Sequence, residues 1–152
     1  MEAQSSTIGK IEAEIALPVT ASEANILNFG KISAETQGGS VQISPTGERT
    51  TSGSIILMDQ TYSAGKFVIT GMPNGLVSVK LPQTVQTLTL SNGNTTITVD
   101  EFVSDVPLGG VVIRQIDGRA EIGIGATLHI PSGLSNLAGT YTGTYEAVFM
   151  YN

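Results

Sequence analysis

The sequence predicts an all-β antiparallel sandwich, on three observations. Apolar residues recur at every second position in many short runs, the period of a strand buried on one face. No window of about eleven residues holds a helical period. The composition is that of a turn-rich β protein, with 18 Gly and only 13% charged residues, about half the charged share of an average soluble chain.

In the first run, Ile11, Ala13, Ile15, Leu17 and Val19 share one face while Glu12 and Glu14 take the other. This predicts a first strand with a buried side, and Pro18 suits its edge or end. Further strands are expected near Ile26–Ile32, Val41–Ser44, Ser54–Met58, Lys66–Thr70, Leu76–Leu81, Val85–Leu90, Thr96–Val103, Val111–Ile116, Arg119–Ile130 and Tyr141–Tyr151. That gives about eleven short strands, the mark of a sandwich or barrel. Asn92-Gly93 and Asp117-Gly118 sit between apolar runs where a tight turn needs positive φ, and both predict hairpins. Pro73-Asn74-Gly75 predicts a third, slightly longer hairpin, and Pro45-Thr46-Gly47 turns the chain after Ile43. The expected organisation is a flexible lead over residues 1–7 and one sandwich domain over 8–152, with no interior linker.

Composition also limits partners. Lys and Arg number 7 against 13 Asp and Glu, and a net charge of −6 without any basic run disfavours nucleic acid and anionic membranes. Cys is absent, so there is no disulfide framework, thiolate metal site or cysteine nucleophile. Met1-Glu2-Ala3-Gln4 has no positive n-region and no apolar stretch follows, so neither a signal peptide nor a membrane span is expected in this sequence. The remainder reads as a mature exported protein, secreted, periplasmic or on the cell surface, with Met1 standing where an export signal was removed.

No residue set carries obvious chemistry. His129 is the single histidine and alternates with Ile122, Ile124, Ala126 and Leu128, so it is expected to point away from the core as a solvated strand residue. A Ser–His–Asp triad would have to gather around it, yet no Gly-x-Ser-x-Gly elbow marks a nucleophile. Zinc lacks its His and Cys ligands. Asp100, Glu101 and Asp105 lie close enough in sequence to raise the question of a weak calcium site, although no Asp-x-Asp-x-Asp-Gly loop is present. Gly123-Ile124-Gly125 lacks the third glycine and following helix of a phosphate cradle; its small residues are expected to admit another backbone or sheet at close range. Tyr145, Ala147, Phe149 and Tyr151 share one strand face, which favours core packing over a sugar-stacking platform. No catalytic residue, cofactor or metal site is therefore assigned.

Leu27-Asn28-Phe29-Gly30, Ser44-Pro45-Thr46-Gly47-Glu48-Arg49, Phe67-Val68-Ile69-Thr70-Gly71, Thr98-Val99-Asp100, Gly125-Ala126-Thr127-Leu128 and the terminal Gly139-Thr140-Tyr141-Thr142-Gly143-Thr144-Tyr145 occur in order from about Ile11 to Asn152. Together they resemble the bacterial domain-of-unknown-function family DUF4402. That family is in turn similar in pattern to spore-coat-protein-U and fimbrial pilin domains, whose last strand also follows a Gly-x-Tyr element and ends on an aromatic. The resemblance implies an exported immunoglobulin-like or pilin-like antiparallel β-sandwich of roughly eight to eleven short strands, and brings no catalytic residues with it. The lack of cysteines departs from the coat-protein-U pattern.

The function expected is that of a structural or adhesive surface module, a fimbria-like or coat-like subunit, and not an enzyme. Its partners would be copies of itself or other surface proteins met by strand pairing. The alternative is a carbohydrate- or ligand-binding module using the loops about Glu35–Gly39 and Val103–Gly110. The strands expected to complete the core or to be exchanged are Ile11, Ala13, Ile15, Leu17 and Val19, and Tyr145, Ala147, Phe149 and Tyr151. Whether Ile11–Val19 pairs within its own domain or with a neighbour is left open by the pattern. A self-completed monomer is expected, with polymers formed by exchanging that segment.

Overall fold

The computed structural model describes residues 3–91, 93–133 and 138–152, with the backbone alone for 34–36. The fold is all-β, as predicted, and every strand pair is antiparallel. The strands are β1 (Thr20–Asn25), β2 (Ile32–Ile43), β3 (Arg49–Leu57), β4 (Gly65–Thr70), β5 (Leu76–Lys80), β6 (Gln86–Leu90), β7 (Thr96–Ser104), β8 (Val111–Val112), β9 (Arg119–Ile130), β10 (Tyr141–Thr142) and β11 (Val148–Tyr151).

Eight of them form one sheet in the order β1-β4-β9-β7-β6-β10, with β2 also on β9 and β3 on β2. The other three form a smaller sheet, β11-β5-β8. The long β9 organises the whole. On one flank its first half pairs with β4, from Arg119 opposite Thr70 to Ile124 opposite Gly65. Its second half pairs on that flank with β2, from Ala126 opposite Ile43 to Ile130 opposite Gly39. Strand alternation puts Ala120, Ile122, Ile124, Ala126, Leu128 and Ile130 on one face of β9, and along that face the core falls into two clusters. Ala126, Leu128 and Ile130 pack with Phe29, Val41, Ile43, Ile97 and Val99. Ala120, Ile122 and Ile124 pack with Ile69, Val77 and Ile113 between the two sheets. Among the described residues, the largest wholly buried side chains include Ile43, Ile69, Ile122 and Ile124, each contributing about 1.5–3 kcal/mol.

Gly123 and Gly125 do what small residues on a strand face were expected to do. A Cβ on either would collide with the backbone of Ile43–Pro45, so their bareness lets the β2–β3 turn lie against β9. The sequence motifs also meet in space. Arg49, with its side chain 2% exposed, donates from Nη1 to the Phe29 carbonyl at 2.9 Å, lies 3.7 Å from Asp59 Oδ1 and stacks 4.1 Å over the Tyr62 ring.

Several sequence expectations are corrected. Ile11–Val19 is not a strand; residues 3–19 form no regular structure, and β1 begins only at Thr20. With no partner strand beside them, alternating side chains had nothing to be buried against. Of Ile26–Ile32 only Ile32 belongs to a strand, as the first residue of β2; residues 26–31 are a connection, tied down by the bridge between Asn28 and Ser63 and by the Met58 N–H bond to the Lys31 carbonyl. Residues 35–39, expected as a loop, run inside β2, and the loop after β7 begins only past Ser104. Pro73-Asn74-Gly75 and Asp117-Gly118 turn the chain tightly, with φ 66 at Asn74 and φ 68 at Gly118. Neither closes a hairpin, because β4 and β5, and likewise β8 and β9, belong to different sheets. Pro45-Thr46-Gly47 does join paired strands, β2 and β3. Asn92 lies outside the described residues, and so does the Asn92-Gly93 turn, although β6 and β7 pair antiparallel. Finally, Tyr141–Tyr151 is not one strand: β10 pairs with β6 in the large sheet and β11 with β5 in the small one.

Candidate assembly site

The segment that precedes β1 is an arm without regular structure whose apolar side chains face solvent. Ile11 is 97% exposed, Ile15 98% and Leu17 58%, with Ile8 as open as these. Burying such side chains is the main favourable term in folding, so a run of them at strand period left in water is a surface without its partner. Val19 alone of the alternating set packs on the core, against the second cluster. Among the described residues, the arm's one hydrogen bond to the sandwich is at Leu17, whose carbonyl accepts from the Tyr151 hydroxyl at 2.9 Å. Glu14 and Ala16 border a shallow hollow together with the 72–76 turn, Tyr151 and Asn152.

The terminal segment is the second half of the site. β11 pairs only with β5, from Val148 opposite Lys80 to Tyr151 opposite Val77. The Asn152 N–H continues that ladder to the Leu76 carbonyl at 2.9 Å. In an antiparallel ladder bonded pairs alternate, so Val148, Met150 and Asn152 bond toward β5 while Phe149 and Tyr151 turn their backbone N–H and C=O outward. Among the described residues, no backbone group bonds to Phe149 or Tyr151 there; residues 143–147 form no strand, and Gly143 lies against Thr87 and Leu88 of β6. The outer edge of β11 is open, and open edges invite another strand.

Half-buried aromatics line that edge. The Phe67 ring lies 5.3 Å from Phe149 and 6.2 Å edge-on from Tyr145, and Tyr145 lies 5.2 Å from Phe102. Phe67 is on β4 directly opposite Glu23 of β1, so the outer edge of β1 and the open edge of β11 flank the same side of the sandwich. The alternation seen in the sequence is kept: Tyr145, Ala147, Phe149 and Tyr151 are half-buried and Glu146, Val148 and Met150 exposed. The Tyr145 hydroxyl is buried without a hydrogen-bond partner. Burial, with the charge of Glu23 adding to it, pushes its pKa up to about 12.

The other singled-out residues lie elsewhere. His129 is on the outer face of β9, half-exposed, with Nε2 2.6 Å from Asp100 Oδ1. Among the described residues no serine hydroxyl bonds to it. Glu101 accepts from the Thr127 hydroxyl at 3.0 Å and Asp105 from the Gly123 N–H at 2.9 Å, so the three acids are held by three different partners. Among the described residues no group of three or more acids or histidines is arranged to hold a metal ion. Around His129 the large sheet carries a row of small polar residues. Ser52, Ser40, His129, Thr98 and Thr87 stand opposite one another across β3, β2, β9, β7 and β6. Ser52, Ser40, His129 and Thr98 border an open hollow of about 530 Å³. Sequence reasoning missed this row, because register across five strands is not visible in any one of them.

A family model described as a domain of unknown function (DUF4402) matches residues 17–151. No curated protein and no solved structure matches the chain.

Proposed function

We propose that this chain, which belongs to the DUF4402 family, is a non-catalytic structural or adhesive module of an exported surface assembly, a fimbria-like or coat-like subunit that associates through its strands. The observation that carries this reading is the arm: Ile8, Ile11, Ile15 and Leu17 stand in water at the margin of a sandwich that has an open edge. Taking up an added strand satisfies both, since main-chain bonds join the edge and alternate side chains fill the adjoining surface. Low charge and turn-rich strands fit a subunit that packs against others. Sedimentation velocity over a wide concentration range tests this. The full chain should self-associate, and Ile11→Asp with Ile15→Asp should stay monomeric. A wild-type chain that remains monomeric at every concentration would remove the reading.

A second reading has one observation in its favour, the polar hollow around His129. Hydroxyl and amide groups of Ser40, Ser52, Thr98 and Gln37 border it, and such groups bind neutral polyols such as glycans. Among the described residues no Phe or Tyr ring lines it to stack on a sugar face, which is why assembly is preferred. Glycan-array binding lost on His129→Ala would promote the second reading.

A further inference from the structure

We infer that Asp100 is a positioning residue: it holds His129 in one tautomer, so that the free ring nitrogen Nδ1 accepts from a hydroxyl of a neutral saccharide bound in the hollow beside it. The inference rests on the glycan reading of that hollow and names the group that recognises the ligand; in a surface module it supplies the adhesive contact. The lining defines the ligand class. Gln37, Ser40, Ser52, Thr96, Thr98 and His129 supply amide, hydroxyl and imidazole groups, and among the described residues no carboxylate, Lys or Arg lines the hollow. A phosphate, sulfate or ammonium group therefore finds no opposite charge there. Side chains that both donate and accept match sugar hydroxyls, which do the same. The hollow, about 530 Å³, falls within the roughly 300–1,000 Å³ of small-ligand sites.

The strands build the hollow. Gly39 of β2 and Gly53 of β3 stand opposite each other in its lining. A Cβ on either would collide with the other strand, and Gly53 has φ 81, so the surface between them is bare main chain. The β2 register shifts between Ala34 and Gly39, and such a bulge bends its strand. His129 stands between Ser40 of β2 and Thr98 of β7. Among the described residues the hydroxyls of Ser40, Ser52 and Thr98 bond to no protein group. The imidazole differs, because one of its nitrogens is committed. Nε2 lies 2.6 Å from Asp100 Oδ1, and an ionised carboxylate can only accept. The proton of the neutral ring is therefore on Nε2, which leaves Nδ1 as an acceptor. Among the described residues Nδ1 has no partner, and a ligand hydroxyl completes it. With no ring to stack on a sugar face, recognition rests on directional bonds of this kind. Repeated copies in an assembly then strengthen a weak single contact.

An array of neutral, sulfated and sialylated glycans, probed with the full chain and its variants, tests this. Neutral glycans should bind and the anionic ones should not. His129→Ala should weaken neutral-glycan binding about tenfold or more, as the loss of one good hydrogen bond does. Asp100→Asn should weaken it by a similar factor, because an amide can donate to Nε2 as well as accept from it and no longer fixes the tautomer. Nitrogen NMR of the neutral imidazole reads the tautomer directly: a protonated Nε2 and bare Nδ1 in the wild type, a mixture in Asp100→Asn. A wild-type ring protonated on Nδ1, or full binding by Asp100→Asn once its tautomer has shifted, overturns the inference while the hollow survives as a glycan site. Neutral-glycan binding that His129→Ala leaves intact, or binding of anionic glycans alone, overturns it as well. No binding to any neutral glycan removes the glycan reading together with the inference. Circular dichroism of each variant must match the wild type. Where Asp100→Asn does not, the wild-type tautomer and His129→Ala decide.

Discussion

Tyr151 ties the arm to the sandwich through Leu17. Its hydroxyl donates to the Leu17 carbonyl at 2.9 Å and accepts from the Met72 N–H at 2.7 Å, and the bare Gly71 leaves room for it. One side chain from the end of the protein thus fixes where the arm departs and supports the turn between the sheets.

Tyr151→Phe should keep the fold and lose about 1–2 kcal/mol, because two hydrogen bonds go and the Met72 N–H is left without its acceptor. Urea unfolding reads the loss. An unchanged midpoint would mean that water replaces the hydroxyl at no cost.

Arg49 is buried with its guanidinium forked between the carbonyls of Phe29 and Asp59. Arg49→Lys cannot reproduce that fork and should destabilise by about 2–3 kcal/mol. Arg49→Met should cost at least as much, since it leaves Asp59 without its cation.

Asp59 sets a pH dependence. Hydrogen bonds from the Thr61 hydroxyl and the Lys31 N–H, with the nearby Arg49 charge, hold its carboxyl below the usual range. A carboxyl whose folded pKa lies below its unfolded value contributes stability that is complete above about pH 4 and lost as pH falls through the folded pKa. Between pH 5 and pH 2 the wild type should therefore lose stability more steeply than Asp59→Asn. Parallel curves would show that this carboxyl is not differentially bound in the folded state.

Tyr145→Phe removes a buried hydroxyl that has no partner. It should leave stability unchanged or raise it by up to about 1 kcal/mol, and should abolish a tyrosine titration near pH 12 in the folded protein. A clear loss of stability would mean that the hydroxyl is satisfied, by water or by a neighbour's strand.

Deleting Gly143–Asn152 should unfold or aggregate the chain, because Tyr145, Phe149 and Tyr151 no longer pack on the core and β5 is left with the two-residue β8 alone. Deleting Met1–Leu17 should leave a folded β domain with its melting temperature nearly intact, since 3–17 supplies no strand pairing. Unfolding of the arm deletion would show that the segment belongs to its own sandwich after all.

The strand class of the fold was legible from the sequence alone because period-two alternation is a property of each strand by itself. β9 could be bounded correctly at Arg119–Ile130, and the face shared by Tyr145, Ala147, Phe149 and Tyr151 could be read, without knowing any neighbour. What alternation does not carry is whether a partner exists. Ile11–Val19 and Arg119–Ile130 follow the same rule, yet one lies in solvent and the other at the centre of both core clusters. Turn chemistry was equally blind to destination. Asn74 and Gly118 bend the chain as their residue types require, but whether the next strand returns to the same sheet or crosses to the other depends on which faces must be covered. The open edge of β11 and the polar row from Ser52 to Thr87 were decided only by tertiary structure, because both are relations between strands far apart in sequence.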